Sequence, residues 1–203
     1  MTQKLIGITQ RIFVDHSTKE RRDCLDQRWS NFFDKIGMIP FPIPNSISLL
    51  KKIFEQNIID GVVLSGGNSL FEFGGDAPER DETELLLLKY CETNKIPILG
   101  VCRGMQIIQR YFGVPLIEVK GHVTSQLKIQ FINDLSQIMM VNSYHHFGAI
   151  QTVPDLKIMA KSEDGVVKYI KHKDKKITAI MWHPERELPF SEFDLEFFQE
   201  FFL

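Results

Sequence analysis

The sequence is poor in cysteine: Cys24, Cys91 and Cys102 are the only three in 203 residues, and they show neither CxxC nor Cys/His ligand spacing. An odd, scattered set argues against a disulfide framework or a structural zinc site. It fits a reduced, cytoplasmic chain in which a special cysteine is special for reactivity. Long hydrophobic runs are missing too. Nothing approaches the length of a membrane span, and the segment MTQKLIGITQRIF lacks the regions of a secretory signal. Neither sign of charge dominates, with 24 Lys plus Arg against 26 Asp plus Glu and a net charge of −2. That balance gives no electrostatic basis for a general nucleic-acid binder. No repeat, low-complexity tract or Ser/Gly linker divides the chain. What remains is ordinary globular composition, 43% hydrophobic and 25% charged. A chain this long can bury a core without disulfide or metal, and residues 1–203 are expected to form one α/β domain.

The order of patterns sets the fold class. Residues 4–9 read as a strand, and residues 20–36 place Leu25, Trp29, Phe32, Phe33 and Ile36 on one helical face. The apolar run 61–64 enters the tight turn Ser65-Gly66-Gly67. Residues 78–91 read as a helix with an acidic start, 96–101 as a buried strand and 105–112 as another helix. Strands alternating with helices predict a mostly parallel central sheet flanked by helices. The second half differs. Residues 128–132, 138–141, 156–160, 166–170 and 177–182 read as strands with few helices between them, an antiparallel extension at one sheet edge. Residues 191–203 form a short aromatic-rich helix that docks on the sheet.

Chemistry concentrates in Gly100-Val101-Cys102-Arg103-Gly104, between an apolar strand and a helical pattern. That is the strand–turn–helix context of a nucleophile elbow, with Cys in place of Ser. The glycines suit a turn where side chains would strike the sheet or the next helix, and the helix N-terminus favours a thiolate. Cys24 and Cys91 lie in helical patterns and read as packing residues. A thiolate nucleophile needs a base and a group that orients it. His183-Pro184-Glu185 follows the strand at 177–182, and Glu185 can hold the imidazole in one tautomer while it exchanges a proton with Cys102. His16 and His172 read as surface residues, whereas His122, His145 and His146 either line the site or pack in loops.

The pieces Leu64-Ser-Gly-Gly67, Arg80-Asp81-x-x-Glu84, Gly100-Val-Cys-Arg-Gly-Met-Gln106, Asn142-Ser-Tyr-His-His146, Asp164-Gly165 and Trp182-His-Pro-Glu185 stand in one order over most of the chain. In that order they resemble the class I glutamine amidotransferase-like hydrolases, and within them the γ-glutamyl-γ-aminobutyrate hydrolase group. The resemblance implies a flavodoxin-like glutamine amidotransferase fold and a triad of Cys102, His183 and Glu185. It also implies an oxyanion hole from the backbone N–H groups of Gly67 and Arg103. Gln106, Asn142, Ser143 and Tyr144 match positions that hold the glutamyl α-amino and α-carboxylate groups, and His145 matches a recurrent site histidine. No metal or organic cofactor is implied. Asn68, Met181 and Lys168 depart from the pattern of the group without touching the triad, so the aminobutyrate substrate does not carry over with the resemblance.

Three arginines bear on the other half of a substrate. Arg21 and Arg28, seven apart on the expected helix, lie on nearly one side of it, and Arg11 leaves the first strand at the sheet's carboxyl end. Either they embrace an anion or they make solvated pairs such as Arg22–Asp26. The stretch Arg-Arg-Asp-x-Leu-Asp-Gln-Arg-Trp ending at Trp29 resembles a capsule-polysaccharide subgroup of these hydrolases. The resemblance implies a substrate with a γ-glutamyl group on the phosphoramidate nitrogen of a cytidine diphosphate, γ-glutamyl-CDP-amidate, and guanidinium suits such a diphosphate. The expected function is a stand-alone cysteine hydrolase of a small γ-glutamyl amide. The alternatives are a glutaminase subunit feeding ammonia to a separate synthetase, a γ-glutamyl-γ-aminobutyrate hydrolase, and a non-catalytic binding protein. The complete Cys/His/Glu set argues against the last, and the length leaves no room for an attached synthetase domain.

Overall fold

Short apolar runs closed by turn residues supply one nine-stranded sheet in the computed structural model, which describes residues 3–203. The first strands are β1 (Leu5–Thr9), β2 (Arg11–Asp15), β3 (Glu20–Cys24), β4 (Ile39–Ile43), β5 (Gly61–Leu64) and β6 (Ile98–Val101). The later ones are β7 (Ile117–Glu118), β8 (Val123–Phe131), β9 (Ile138–Tyr144), β10 (Phe147–Gly148), β11 (Leu156–Ser162), β12 (Val167–His172) and β13 (Ile177–Ile180). The helices are α1 (Arg28–Lys35), α2 (Ile47–Glu55), α3 (Pro78–Asn94), α4 (Arg103–Tyr111) and α5 (Glu192–Phe202). Across the sheet the order is β4-β1-β5-β6-β13-β12-β11-β8-β9. Neighbours from β4 to β13 are parallel and those from β13 to β9 antiparallel, so the antiparallel extension forms on one side as expected.

The central strands are buried on both faces, which is why they read as unbroken apolar runs. Alternate residues feed two cores. Val62 and Leu64 join Leu87, Leu88, Met105 and Ile108 on the α3/α4 side. Val63 and Leu99 join Trp29, Phe32, Phe33, Phe198 and Phe202 on the α1/α5 side, where the C-terminal helix docks. Among the described residues no helix is long and apolar enough to cross a membrane.

Two segments depart from the sequence reading. The expected helix over 20–36 begins only at Arg28; residues before it form the β2–β3 hairpin, which pairs Arg11 with Cys24 and Asp15 with Glu20. Asp15 Oδ1 accepts from Ser17 and Thr18 to close the hairpin turn, and Lys19 takes a left-handed φ of 60° there. That turn, with Ile12 alone buried in β2, outcompetes a helix whose apolar face starts only at Trp29. Cys24 therefore sits in a strand, and Arg21 and Arg28 do not share a helical face. The edge strand β4 and helix α2 have no counterpart in the sequence reading. Pro40 and Pro42 mask β4, and prolines are tolerated there because an edge strand needs ladder bonds on one side only.

Candidate active site

At the carboxyl end of β6 the chain turns abruptly into α4. Cys102 is the turn residue, with φ 52° and ψ −104°, a conformation that a non-glycine residue adopts only at a cost of about 1–3 kcal/mol. Close packing explains the flanking glycines. A Cβ on Gly104 would sit 2.0 Å from the Leu64 carbonyl oxygen, and one on Gly100 would sit 2.6 Å from the Gly104 carbonyl oxygen. Helix α4 thus rests on β5, with the thiol at its positive N-terminal end.

Sheet order brings the histidine to the cysteine. β6 and β13 are parallel neighbours, with Val101 opposite Ile180, and Cys102 N–H donates to Ile180 O at 2.8 Å. His183 follows β13, and a single helical turn over Pro184–Arg186 returns Glu185 so that its Oε1 lies 2.8 Å from His183 Nδ1. Nε2 is then the nitrogen left for proton exchange. Asn142 clamps the histidine backbone: its Oδ1 accepts from His183 N–H at 2.9 Å and its Nδ2 donates to His183 O at 2.8 Å.

The site is charged internally. Burial pushes the Cys102 thiol up, yet the adjacent His183 outweighs burial and holds it below its ordinary range. Burial likewise opposes charge on His183, but Cys102 and Glu185 prevail and raise it to about 9. Both shifts favour a thiolate–imidazolium pair, the thiol held down and the imidazole held up by one another. Site-resolved alkylation by iodoacetamide should accordingly find Cys102 reacting below the pH at which an ordinary thiol does, and slowing only as acid protonates the thiolate. Cys91, pushed up to about 12 by burial, should stay inert. His183→Ala should move the Cys102 profile to alkaline pH; an unmoved profile would disprove the pair.

Beneath the site, Arg80 gathers the turn after β5. Its Nη2 donates to Ser65 O at 2.7 Å and Gly66 O at 3.2 Å, and its Nη1 donates to Gly67 O. In a trans peptide the carbonyl and the next N–H point in opposite directions. With Gly66 O turned to Arg80, the Gly67 N–H faces away from it. Arg80 Nε also donates to Glu84 at 3.0 Å, and Glu84 and Asp81 together receive the guanidinium of Arg103. Glu84 accepts from Thr9 as well, at 2.8 Å. Burial opposes the Glu84 charge, but the two arginines outweigh it and hold the carboxyl below its usual range. The same burial lowers Arg80 to about 10.

Behind the site lies a second polar cluster. The buried Lys168 ammonium lies 2.8 Å from His122 Nδ1 and 2.6 Å from His145 Nε2, and donates to Ser143 Oγ at 3.3 Å. Both ring nitrogens must accept from it, so His122 directs its Nε2 proton to Asp164 and His145 its Nδ1 proton to Phe147 O. Burial, then the Lys168 charge, pushes His145 down to about 2 and keeps it neutral. Burial also pulls Lys168 itself down to about 7.

A cavity of about 170 Å³ opens on Cys102 and His183, and Gly67, Arg103, Gln106, Tyr144, His145 and His146 are among its walls. Gln106 Nε2 donates to Phe147 O at 2.8 Å. Asn142 and Ser143 do not reach the cavity; they spend their side chains on the His183 backbone and on His122 O. Of the expected anion contacts, Arg21 instead pairs with Glu79 and donates to Asp76 O, and Arg28 pairs with Asp26. Arg22 pairs with Glu20 rather than forming the helical Arg22–Asp26 pair. Only Arg11 lies against Gly67. His16 is exposed, but His172 is buried, because its Nδ1 accepts from Asp174 and Lys175 N–H groups. Arg186 and Lys168 stand at the site without a role read from the sequence. Arg186 carries no local pattern beyond adjacency to Glu185, and Lys168 is marked in the sequence only as a departure from the group's pattern. Among the described residues no group of three or more His, Cys, Asp or Glu side chains could hold a metal ion.

Comparison with known proteins agrees with this architecture. The family model of class-I glutamine amidotransferases matches residues 35–203. A γ-glutamyl-CDP-amidate hydrolase of Campylobacter jejuni is 33% identical over 191 residues, covering 90% of each chain. A glutamine-hydrolyzing GMP synthase subunit of Pyrococcus abyssi is 30% identical over 156 residues, 74% of this chain and 78% of its own. A GMP synthase subunit-like protein of Thermoplasma acidophilum superposes with a TM-score of 0.75 at 22% identity, covering 100% of this chain and 94% of its own. The chain is a member of the class-I glutamine amidotransferase family.

Proposed function

We propose that the protein is a cysteine-dependent hydrolase that cleaves a γ-glutamyl amide, with γ-glutamyl-CDP-amidate as its substrate and a place in bacterial capsule synthesis. The observation that carries the hydrolase reading is the Cys102–His183–Glu185 arrangement opening on its own small cavity. The thiolate of Cys102 adds to the γ-carbonyl carbon, and the oxyanion that forms is met by the N–H groups of Gly67 and Arg103. The Arg103 N–H begins α4 and has no partner within the helix. Imidazolium His183 gives its proton to the leaving nitrogen, the C–N bond breaks, and a glutamyl thioester remains. Water, deprotonated by the now neutral His183, splits the thioester to glutamate and returns Cys102 to thiolate and His183 to imidazolium. Gln106, Tyr144 and His145 border the space for the glutamyl head, and Glu185 keeps His183 in one tautomer. With this substrate the products are glutamate and CDP-amidate, the cytidine diphosphate that keeps the released nitrogen on its terminal phosphorus. The relative of that name, matched over 90% of both chains, supports the choice.

A second reading is a glutaminase that passes ammonia to a synthetase, and the relatives from GMP synthases favour it. Glutamate release by the isolated protein from a panel of γ-glutamyl compounds separates the two. The hydrolase reading expects kcat/KM for γ-glutamyl-CDP-amidate to exceed that for glutamine by at least about 100-fold, some 2.7 kcal/mol of transition-state discrimination. Preference for glutamine, or activity only with an added synthetase, would transfer the case to the second reading.

A further inference from the structure

A second cavity, of about 280 Å³, adjoins the cysteine cavity and shares Gly67 and Arg186 with it. Its outer wall is the β2–β3 hairpin, which stands apart from the main sheet. Arg11 and Phe13 alternate with buried Ile12 on β2, so both project from one face of the hairpin. Phe13 is 47% exposed, a large aromatic surface left uncovered at the edge of this cavity. Asn68 fixes the hairpin over the site: at φ 56° its carboxamide accepts from Ile12 N–H at 2.8 Å and donates to Ile12 O at 2.9 Å. The Arg11 side chain is pressed against Gly67, where a Cβ would approach its Cδ to 3.2 Å.

Charge in this cavity is unevenly spent. Its carboxylates are already engaged, Asp26 by Arg28 at 3.0 Å and Glu185 by His183 at 2.8 Å. Arg186 lies 3.5 Å from Glu185 Oε1, too far for a full hydrogen bond, and its Nε is buried with no hydrogen-bond partner. Arg11 has no carboxylate within ion-pair distance among the described residues, in contrast to Arg21 and Arg28. Two guanidiniums and one bare aromatic ring thus line a cavity that adjoins the one holding Cys102.

We propose that this second cavity is the leaving-group subsite and takes a nucleoside diphosphate, its phosphates held between Arg11 and Arg186 and its base laid against Phe13. Planar guanidinium forks match phosphate oxygens, and an aromatic face accepts a base without needing its edge. The inference rests on the γ-glutamyl amide hydrolase reading and deepens it; Arg21 and Arg28 have no part in the subsite.

Binding is measured by calorimetry with CDP as probe, on wild-type and Cys102→Ala protein, so that recognition is separated from turnover. CDP should bind both, with inorganic pyrophosphate and cytidine each at least about tenfold weaker. Arg11→Gln and Arg186→Gln should each weaken CDP about tenfold or more, and Arg11→Lys less than Arg11→Gln. Phe13→Ala should weaken CDP while leaving pyrophosphate unchanged, and Arg21→Gln should keep wild-type affinity. Thermal melts establish that each variant is folded. Absence of CDP binding at millimolar concentration, pyrophosphate binding as tight as CDP, or indifference to Arg11→Gln in folded protein would overturn the subsite. CDP binding with these arginine effects but no glutamate released from any γ-glutamyl compound would overturn the hydrolase reading and leave the subsite standing.

Discussion

Cys102→Ala is expected to lower kcat for γ-glutamyl amide hydrolysis by about 10⁴-fold or more, because no other group can form the thioester. His183→Ala should cost a similar factor, since it removes both the partner that holds the thiolate and the acid that serves the leaving nitrogen. The double variant should be scarcely worse than either alone, because the two side chains act as one unit. Glu185→Gln keeps the shape of the His183 contact but removes its charge, and should fall between these variants and wild type. Mass spectrometry of wild-type protein quenched during turnover should find one glutamyl group on the peptide carrying Cys102. Residual activity of Cys102→Ala within tenfold of wild type would move the nucleophile elsewhere. The buried thiol of Cys91 and the hairpin thiol of Cys24 lie outside the cysteine cavity, so neither could substitute.

The second large effect is on stability. Glu84 is fully buried between Arg80 and Arg103, so Glu84→Gln leaves two buried guanidiniums without their shared counter-charge. Breaking such a network by removing one partner costs about 3–5 kcal/mol. In a chain of this size that corresponds to a Tm lower by roughly 6–20 °C. Because the folded-state pKa of Glu84 is depressed, its contribution is present above the ordinary carboxylate range and is lost as pH falls through the folded value. Wild type and Glu84→Gln should therefore converge in stability at low pH. Asp81 works in the opposite direction: burial raises it more than Arg103 lowers it. Denaturant unfolding across pH is the measurement, and a loss below about 1 kcal/mol at neutral pH would show that the network relaxes around the change. Activity should fall with stability, since Arg80 also orders the Ser65, Gly66 and Gly67 carbonyls.

This network clarifies what the ordered sequence pieces share. Leu64-Ser-Gly-Gly67, Arg80-Asp81-x-x-Glu84 and the Arg103 of the cysteine turn are far apart in the chain but converge on one set of ion pairs under the site. Asn142 has a comparable role, holding the His183 backbone instead of a substrate. Carbonyls and carboxamides carry no mark in the sequence of which partner they will meet, so both roles are out of reach there. The hairpin escapes the sequence for another reason. Leu25, Trp29 and the phenylalanines after them have helical spacing, and that period runs on backwards over residues whose turn chemistry favours a strand pair.

By itself the sequence determined what short-range physics governs. The turn at Cys102 is legible because Gly100 and Gly104 answer a steric need within a few residues, seen in the fold as contacts of 2.6 and 2.0 Å for any added Cβ. The parallel core is legible because strands buried on both faces must be apolar throughout. The spacing of His183 and Glu185 is likewise local, one short turn. Only the tertiary structure decided which residues face one another across the sheet. It set β13 beside β6, which carries His183 to Cys102, and it folded the β2–β3 hairpin over Gly67, which carries Arg11 into the cavity that Arg186 also lines. Those meetings depend on strand order and on which charges are already paired. A pairing between distant segments is set by the whole sheet, and the scattered cysteines and arginines of the sequence gain distinct roles only there.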